Sequence, residues 1–305
     1  MSIADELQNY NDGLLDAYDA VDAKGGTVPQ NKNLDNLPTA IGSISGGGGG
    51  VPDPVEVYNQ TRPADWLKMP EIGANEDNVI YILMQIDSST TEDVPFGHAI
   101  TTYGGIYNQS EVIWEFGTTD SAGNFVADSS LTETVVITST VNFFASCYKN
   151  IPASAFSAQT SDGKKQLMCK VHTTDTAYFM TSFGSGQSPY RARMATQVVE
   201  IKLKATSNVT KLEFRSPSSN YNSALRYFNM VGDNAITDGS SFFSSCQALV
   251  CVLHLDTASM TNVSSMFSGC FSLVAIPELD TSSSTTFQSM FENCYSLCGI
   301  PEIDV

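Results

Sequence analysis

The chain has 305 residues, 42% of them hydrophobic, and a formal net charge of −18 at pH 7 with a sequence pI of about 4.3. This length accommodates two or three domains, and the apolar fraction is high enough to build buried cores, which excludes a disordered protein. The negative charge repels phosphate backbones and anionic lipid head groups alike, so we expect no nucleic-acid partner.

The amino terminus lacks the features of a secretory signal. Asp5 and Glu6 stand where a signal peptide has basic residues, and no unbroken apolar run follows them. No later stretch approaches the roughly 20 apolar residues of a membrane helix, so no membrane insertion is expected. The sequence therefore predicts a protein that stays in a cytoplasm or leaves it by another route, such as virus assembly followed by lysis.

Residues 1–45 are predicted to be a helical segment for anchoring or oligomerisation. Apolar residues recur there at alternating steps of four and three, which is the spacing of a coiled-coil seam. The seam residues are Ile3, Leu7, Tyr10, Leu14, Ala17 and Val21. Three heptads are too short to be stable alone, so the seam needs an oligomer or a docking groove. The alternative is one amphipathic helix that packs on its own chain.

Residues 46–54 are predicted to be a linker, because five consecutive glycines followed by two prolines offer no side chains for packing. Residues 55–215 contain about eight runs of β-branched and aromatic residues, such as NVIYILMQI and QVVEIKLKA, separated by turn signals. The first run, VEVYN, is also expected to be a strand. Strands without intervening helices predict a β-sandwich. Trp66 is expected to be a core or lid aromatic, with a carbohydrate-stacking role as the alternative.

Residues 216–305 contain three similar copies of one sequence pattern, which follow one another at a step of 24 residues. Its recurring core positions are Phe243, Cys246 and Leu249; Phe267, Cys270 and Leu273; and Phe291, Cys294 and Leu297. A period of this length is typical of a solenoid. Val263, Met266 and Phe267 lie at helical steps, and VAIPEL alternates like a short strand, which predicts a unit of helix, bend and strand.

Two parts of the chain resemble known families. The phrase LDT-S-x-x-T-x-x-x-x-MF-x-x-C-x-SL-x-x-IP-x-L, over residues 218–305, resembles the repeat of BspA-like leucine-rich-repeat proteins of bacterial surfaces and bacteriophage virions. Residues 1–45, with their K-G-x-x-V-P step, resemble an amino-terminal segment of bacteriophage tail and fibre proteins. That resemblance implies an element that joins the virion or trimerises a fibre. The last copy stops at Val305 without a polar cap, so either the natural chain continues or something else covers that end.

No catalytic, cofactor-binding or metal-binding motif stands out. The cysteines of the repeats are interpreted as small buried hydrophobic residues, since stacked helices lie about 8–10 Å apart and a disulfide reaches only about 7 Å between Cα atoms. Asp256, Asp280 and Asp304 recur at the 24-residue step and are interpreted as turn formers, with a calcium or sugar site as the alternative. Asp87, Glu92 and Asp93 are a weak calcium candidate.

The sequence thus predicts a mixed fold: a short amino-terminal helical, coiled-coil-like anchor, a β-sandwich middle domain and a carboxy-terminal α/β leucine-rich-repeat solenoid. The expected function is that of a structural bacteriophage virion protein: a tail fibre, head fibre or baseplate-attached adhesin. Its expected partners are other virion proteins, copies of itself with a trimer favoured, and a host surface protein or glycan. The alternative is a bacterial cell-surface leucine-rich-repeat adhesion protein. An enzyme such as a glycan depolymerase is not expected, nor is any cofactor.

Overall fold

The computed structural model describes residues 51–74, 76, 78–101, 110–137, 144–173, 181–182, 197–205, 211–212, 214 and 224–303. Residues 53–297 and 301–305 belong to one compact unit, and the account below concerns its described part. Of the other unit, the structure describes residues 51–52 and 298–300, which form no helix or strand.

The described residues form one α-helix and twelve strands. Helix α1 spans Pro54–Thr61. The strands are β1 Val79–Asp87, β2 Val94–Thr101, β3 Ser110–Thr119, β4 Phe125–Ala127, β5 Glu133–Ile137, β6 Phe144–Ile151, β7 Ala158–Gln159, β8 Lys164–Thr173, β9 Thr181–Ser182, β10 Val198–Lys204, β11 Tyr227–Met230 and β12 Cys251–Val252. A short 3₁₀ turn, Ala153–Ala155, follows β6.

Nine strands make one mixed sheet, in the order β12, β11, β10, β1, β8, β3 and β4, with β5 also paired to β3 and β7 to β8. β10, β11 and β12 run parallel to one another, whereas the other pairs are antiparallel. A second sheet of three antiparallel strands has the order β6, β2 and β9.

The predicted fold class is wrong. The described residues are mostly β-sheet with one helix and the mixed nine-stranded sheet, and neither a helical anchor nor an α/β solenoid is seen among them. A separate sandwich does not form because β10 pairs in parallel with β11, so that the large sheet continues into the repeat region. The six seam residues from Ile3 to Val21 lie outside the described residues.

Helix α1 replaces the strand predicted for VEVYN. Asp53 is its N-cap, and the Asp53 Oδ1 atom accepts a hydrogen bond from the Val55 N–H at 2.8 Å. Pro54 at the first helical position has a fixed φ that suits a helix, and its missing N–H removes one donor that would need a partner there. This capping signal outweighs the β-propensity of Val55 and Val57, which amounts to less than about 1 kcal/mol per residue.

β1 is buried on both faces, which explains why its sequence is almost continuously apolar. Ile80, Ile82 and Met84 point into the larger core, whereas Tyr81 and Leu83 belong to the smaller core on the opposite face. The larger core continues without a break through β11 into the repeats, where it includes residues of all three copies. The sheet and the repeats therefore share one hydrophobic interior, in contrast to a half-exposed sandwich strand.

A segment that we call the strap, residues 62–74, covers the smaller core. The Leu67 N–H donates to the Gln166 Oε1 atom at 2.8 Å, and the Lys202 Nζ atom lies 2.8 Å from the Glu71 Oε2 atom. Trp66 is 5% exposed and meets the Tyr227 ring edge-on, with centroids 5.9 Å apart. The prediction of a core or lid aromatic is confirmed for Trp66, and the carbohydrate-stacking alternative is wrong for a ring so deeply buried.

A buried ion pair joins the strap to β10. The Arg62 Nε atom lies 2.8 Å from the Glu200 Oε2 atom, and the Tyr58 hydroxyl donates to the Glu200 Oε1 atom at 2.6 Å. Burial raises the pKa of the Glu200 carboxyl, and the Arg62 charge opposes that rise. Burial also raises the pKa of the Tyr58 hydroxyl, with the negative charge of Glu200 as the second cause. The three side chains therefore form one electrostatic unit at the start of the strap.

Within the described part of the chain, the structure contains no helix that is both long and apolar enough to span a membrane.

Candidate functional site

Backbone hydrogen bonds connect the copies of the repeat. Alternate N–H groups of one copy donate to carbonyl groups 23 positions later in the chain. These pairs are Ser241 to Ser264 at 2.9 Å, Phe243 to Met266 at 2.8 Å, Ser245 to Ser268 at 2.7 Å, Ser265 to Gln288 at 2.8 Å, Phe267 to Met290 at 2.9 Å and Gly269 to Glu292 at 2.8 Å. Several intervening N–H groups donate back three residues within their own copy, as from Cys246 to Phe243 at 2.9 Å. Neighbouring copies are thus held in a fixed parallel register.

The prediction of a helix within each copy is wrong, because the backbone of each copy has positive φ at two positions four residues apart. These positions are Ser241 and Ser245, Ser265 and Gly269, and Ser289 and Asn293, with φ between 54° and 77°. An α-helix needs negative φ at every residue. The left-handed residues turn N–H groups toward the neighbouring copy, yet Val263, Met266 and Phe267 are still buried, as the spacing predicts.

We expect Gly269→Ala to destabilise the protein by about 1–2 kcal/mol, because a non-glycine residue is strained in the left-handed region. Gly269 has φ +77°, and a Cβ atom there would lie 3.4 Å from the Ser245 Cα atom. Urea unfolding measures the loss. The matched control is Ser245→Gly at the equivalent position of the preceding copy, which we expect to be near neutral. Equal losses in the two variants would contradict the strain argument.

The predicted core residues occupy the interior of the repeats. Phe243, Cys246, Leu249, Phe267, Cys270 and Leu273 are fully buried, and Phe291, Cys294 and Leu297 are half-buried. Their phenylalanine rings stack: centroids of Phe243 and Phe267 are 5.4 Å apart, and those of Phe267 and Phe291 are 5.6 Å apart with planes 3° from parallel. The 24-residue step therefore corresponds to one step along a column of rings.

The cysteines of this column are thiols that fill space and satisfy carbonyl groups. Each Sγ atom donates to a carbonyl of the preceding segment of the chain: Cys246 to Phe214 at 3.1 Å, Cys270 to Phe243 at 3.2 Å and Cys294 to Phe267 at 3.1 Å. Burial raises the pKa of Cys270 well above its usual range and that of Cys294 to about 11. Thiols in this state are poor nucleophiles near neutral pH.

The recurring aspartates build turns. The Oδ1 atom of Asp256 accepts from the Ala258 N–H at 3.1 Å, and that of Asp280 accepts from the Ser282 N–H at 3.0 Å. The side chain of Ser282, followed by its backbone N–H, holds the pKa of Asp280 below its usual range. The turn interpretation is confirmed for these two residues, and Asp304 lies outside the described part of the chain.

The outer surface of the repeats carries two exposed aromatic rings. Phe271 and Tyr295 occupy equivalent positions in successive copies and are 38% and 76% exposed. Their centroids are 5.4 Å apart and their planes are tilted by 33°. The Tyr295 hydroxyl donates to the Asn293 Oδ1 atom at 2.8 Å, which restricts the ring's orientation. We call Phe271 and Tyr295 the aromatic pair.

Small neutral polar residues surround the aromatic pair in the repeat pattern. Gln247 holds the position that corresponds to Phe271 and Tyr295 in the preceding copy, and Ser272 and Ser296 directly follow the two rings. The Ser272 N–H donates to the Gln247 carbonyl at 3.1 Å, which ties the first two copies together at this level. The pair is thus an exposed apolar area with neutral polar residues beside it in the repeat sequence.

Two open clefts of about 350 Å³ each lie along the strap, and most of their charged groups are paired with one another. One contains Arg62, Glu200 and Lys202, and the other contains Lys170, whose Nζ atom lies 3.3 Å from the Glu76 Oε1 atom. Ionic groups that satisfy one another stabilise the strap and offer no convergent charge to a ligand. The aromatic pair is therefore the stronger candidate for recognition.

Across the described residues, no three or more His, Cys, Asp or Glu side chains converge in a way that could hold a metal ion. Asp87, from the weak calcium candidate, forms an ion pair with Lys164. The His172 Nε2 atom lies 3.0 Å from the Glu115 Oε2 atom, and burial lowers the pKa of His172.

The sequence interpretation missed the aromatic pair because it followed the positions that all three copies share. Phe271 and Tyr295 lie between the recurring cysteine and leucine, at a position where the first copy has Gln247. A signal was available: two large aromatic residues, 24 apart, replace a polar residue at a position outside the apolar core pattern. Such a replacement outside the core pattern predicts aromatic rings on the surface of the repeats.

Comparisons with known proteins identify no relative: no protein-family model, no curated protein and no solved structure matches the chain.

Proposed function

We propose that the protein is a structural component of a bacteriophage particle, such as a tail fibre, head fibre or baseplate-attached adhesin. It holds the particle through residues 1–45 and presents the repeat region to the host surface. The observation that carries the proposal is the aromatic pair, two exposed rings fixed on the outer side of hydrogen-bonded copies. The sequence resemblances of residues 1–45 and 218–305 point in the same direction. The proposal includes no catalytic role and no cofactor.

A protein that is present in several copies on a particle can bind the host surface through many contacts that are each weak. Several copies of the aromatic pair on one particle would bind a surface with a large effective concentration, so each contact can be weak. We therefore propose a homo-oligomer, with a trimer favoured, whose further partners are other virion proteins and a host surface protein or glycan.

Immunogold electron microscopy of purified particles tests this function. An antibody against the full chain should label intact particles at defined positions, such as fibre tips or the capsid surface. Lysates of bacteria that carry no prophage should contain no such protein. A protein found on the envelope of prophage-free bacteria, and absent from particles, would support the alternative of a cellular adhesion protein.

The seam of residues 1–45 gives a second expected result. In the full chain, Leu7→Asp combined with Leu14→Asp should abolish oligomerisation, because two charges in an a/d seam are not tolerated. Light scattering should show the unaltered chain at three times its mass of 32.8 kDa and the variant as a monomer. The control is Asn9→Asp, which adds a charge off the seam. A monomer for the unaltered chain would instead favour docking in a partner's groove.

A further inference from the structure

We propose that the aromatic pair is a platform for an uncharged glycan, on which the flat C–H face of a sugar ring lies against Phe271 and Tyr295. This inference rests on the proposed function, since it names the chemical class of the host-surface ligand. Four observations carry it: the exposure of the rings, their mutual geometry, the neighbouring polar groups and the charge of the repeat region.

The exposure of the two rings distinguishes them from the other aromatic residues of the repeats. Tyr295 is 76% exposed and Phe271 is 38% exposed, whereas the phenylalanines of the recurring core position are buried or half-buried. Exposed aromatic area that is held in place loses little conformational entropy on binding, since each ring has only two side-chain torsions. The Tyr295 hydroxyl bonded to Asn293 and the contact between the two rings provide that restraint.

The mutual geometry of the rings fits a flat ligand. A centroid separation of 5.4 Å places the rings in contact with each other, so no group fits between them. An aromatic cage for a quaternary ammonium needs rings arranged around the cation. Two touching rings tilted by 33° are instead offset-stacked, and the apolar area that they leave open lies mostly on Tyr295, the more exposed ring. A pyranose ring has a matching apolar face where its C–H groups project, with its hydroxyls around the edge.

The groups around the pair are suited to sugar hydroxyls. Gln247, Ser272 and Asn293 are neutral side chains that can both donate and accept hydrogen bonds. The Tyr295 oxygen, which donates to Asn293, still has lone pairs that accept. Tyrosine combined with serine and asparagine is also the composition typical of antibody binding loops, where the polar residues supply adaptable hydrogen bonds.

The charge of the repeat region disfavours acidic glycans. From residue 224 to residue 303 the sequence has Arg226 as its one Lys or Arg residue against seven acidic residues, among them the exposed Glu278 and Glu292. Sialic or uronic acid groups would be repelled by this surface at physiological salt. An uncharged saccharide experiences no such repulsion, so the proposal is restricted to neutral glycans.

The test is binding of the full chain to an array that carries neutral hexose and N-acetylhexosamine oligosaccharides beside sialylated and uronic-acid ones. We expect binding to neutral glycans that persists in 1 M salt. The variants Tyr295→Ala and Phe271→Ala should weaken binding about tenfold or more, as loss of an aromatic anchor does. Tyr295→Phe should retain most of the affinity. Gln247→Tyr, which adds a third ring in register, should increase it.

Circular dichroism and the urea midpoint check that the variants remain folded. We expect Tyr295→Ala to change the midpoint least, because its ring is largely exposed. The proposal is overturned if no neutral glycan binds, if binding is equal in the Tyr295→Ala variant, or if the bound glycans are acidic. Binding that disappears in 1 M salt would also overturn it, since that result indicates a cationic partner. The localisation on particles is measured separately, so either proposal can fail while the other holds.

Discussion

Replacing Arg62 with methionine should destabilise the protein by about 3–5 kcal/mol, the loss typical of breaking a buried ion pair by removing one partner. The side chains of Arg62 and Glu200 are 11% and 5% exposed, so water cannot replace the lost interaction. Arg62 also donates to the Leu67 carbonyl at 2.5 Å and lies over the Tyr58 and Trp66 rings. Equilibrium unfolding in urea, followed by circular dichroism, measures the change.

A double-mutant cycle isolates the cause. Glu200→Gln keeps the shape of the side chain and an acceptor for the Tyr58 hydroxyl, so we expect a smaller loss than from Arg62→Met. The combined variant should be more stable than Arg62→Met alone, because no unpaired carboxylate remains. Strictly additive losses in the cycle would show that the two side chains act independently and would contradict the electrostatic unit described at the start of the strap.

The stability loss of Arg62→Met should depend on pH in a defined direction. Burial raises the pKa of Glu200, so the folded state binds this proton more tightly than the unfolded chain does. The contribution of the carboxyl to stability is therefore lost as the pH rises through its folded pKa. Removal of Arg62 raises that pKa further. We expect the deficit of Arg62→Met to be largest at neutral pH and to shrink as the pH is lowered toward 5. The deficit of Glu200→Gln, which lacks the titrating carboxyl, should not shrink over the same range.

Replacing Phe267 with alanine should cost about 3–5 kcal/mol, the range measured for removing a fully buried phenylalanine. Phe267 is the middle ring of the column, between Phe243 and Phe291. Its removal opens a cavity that hydrogen bonds on both sides prevent from collapsing, since the copies are fixed in register. Chemical and thermal unfolding both report the loss.

Two alanine substitutions serve as controls for Phe267. Phe291→Ala should be milder because that ring is half-buried, and Phe271→Ala, in the same copy but on the outer surface, should be milder still. The expected order of losses is therefore Phe267, then Phe291, then Phe271. A loss at Phe267 no larger than that at Phe291 would mean that the column contributes less than its packing indicates.

Sequence patterns predicted burial better than backbone conformation. The apolar run of β1 and the 24-residue step both identified residues that the structure buries, because burial follows side-chain chemistry. The prediction of a helix inside each copy was wrong, because residues at three- and four-residue steps can share a face without helical φ angles. Left-handed serines such as Ser241 and Ser265 carry no distinctive signal, unlike Gly269 at an equivalent bend.

The two ends of the β-rich region show why propensity alone fails. Val55 and Val57 favour a strand, but the N-cap Asp53 stabilises the segment as helix α1. At the other end, the parallel pairing of β10 with β11 depends on contacts that no local pattern records. The outward position of Phe271 and Tyr295 was equally invisible to a search for shared residues. The seam from Ile3 to Val21 stays a prediction.

The unbroken interior that runs from β1 to the third copy has a consequence for how the molecule comes apart. Neither the large sheet nor the repeats can lose their contacts without exposing apolar surface on the other, so the two are expected to melt as one cooperative unit. A chain shortened before β11 would leave an edge of β10 and a bare hydrophobic face in water. The repeat copies are therefore an integral part of the folded unit that contains the large sheet, and substitutions in their interior should lower the stability of the whole unit.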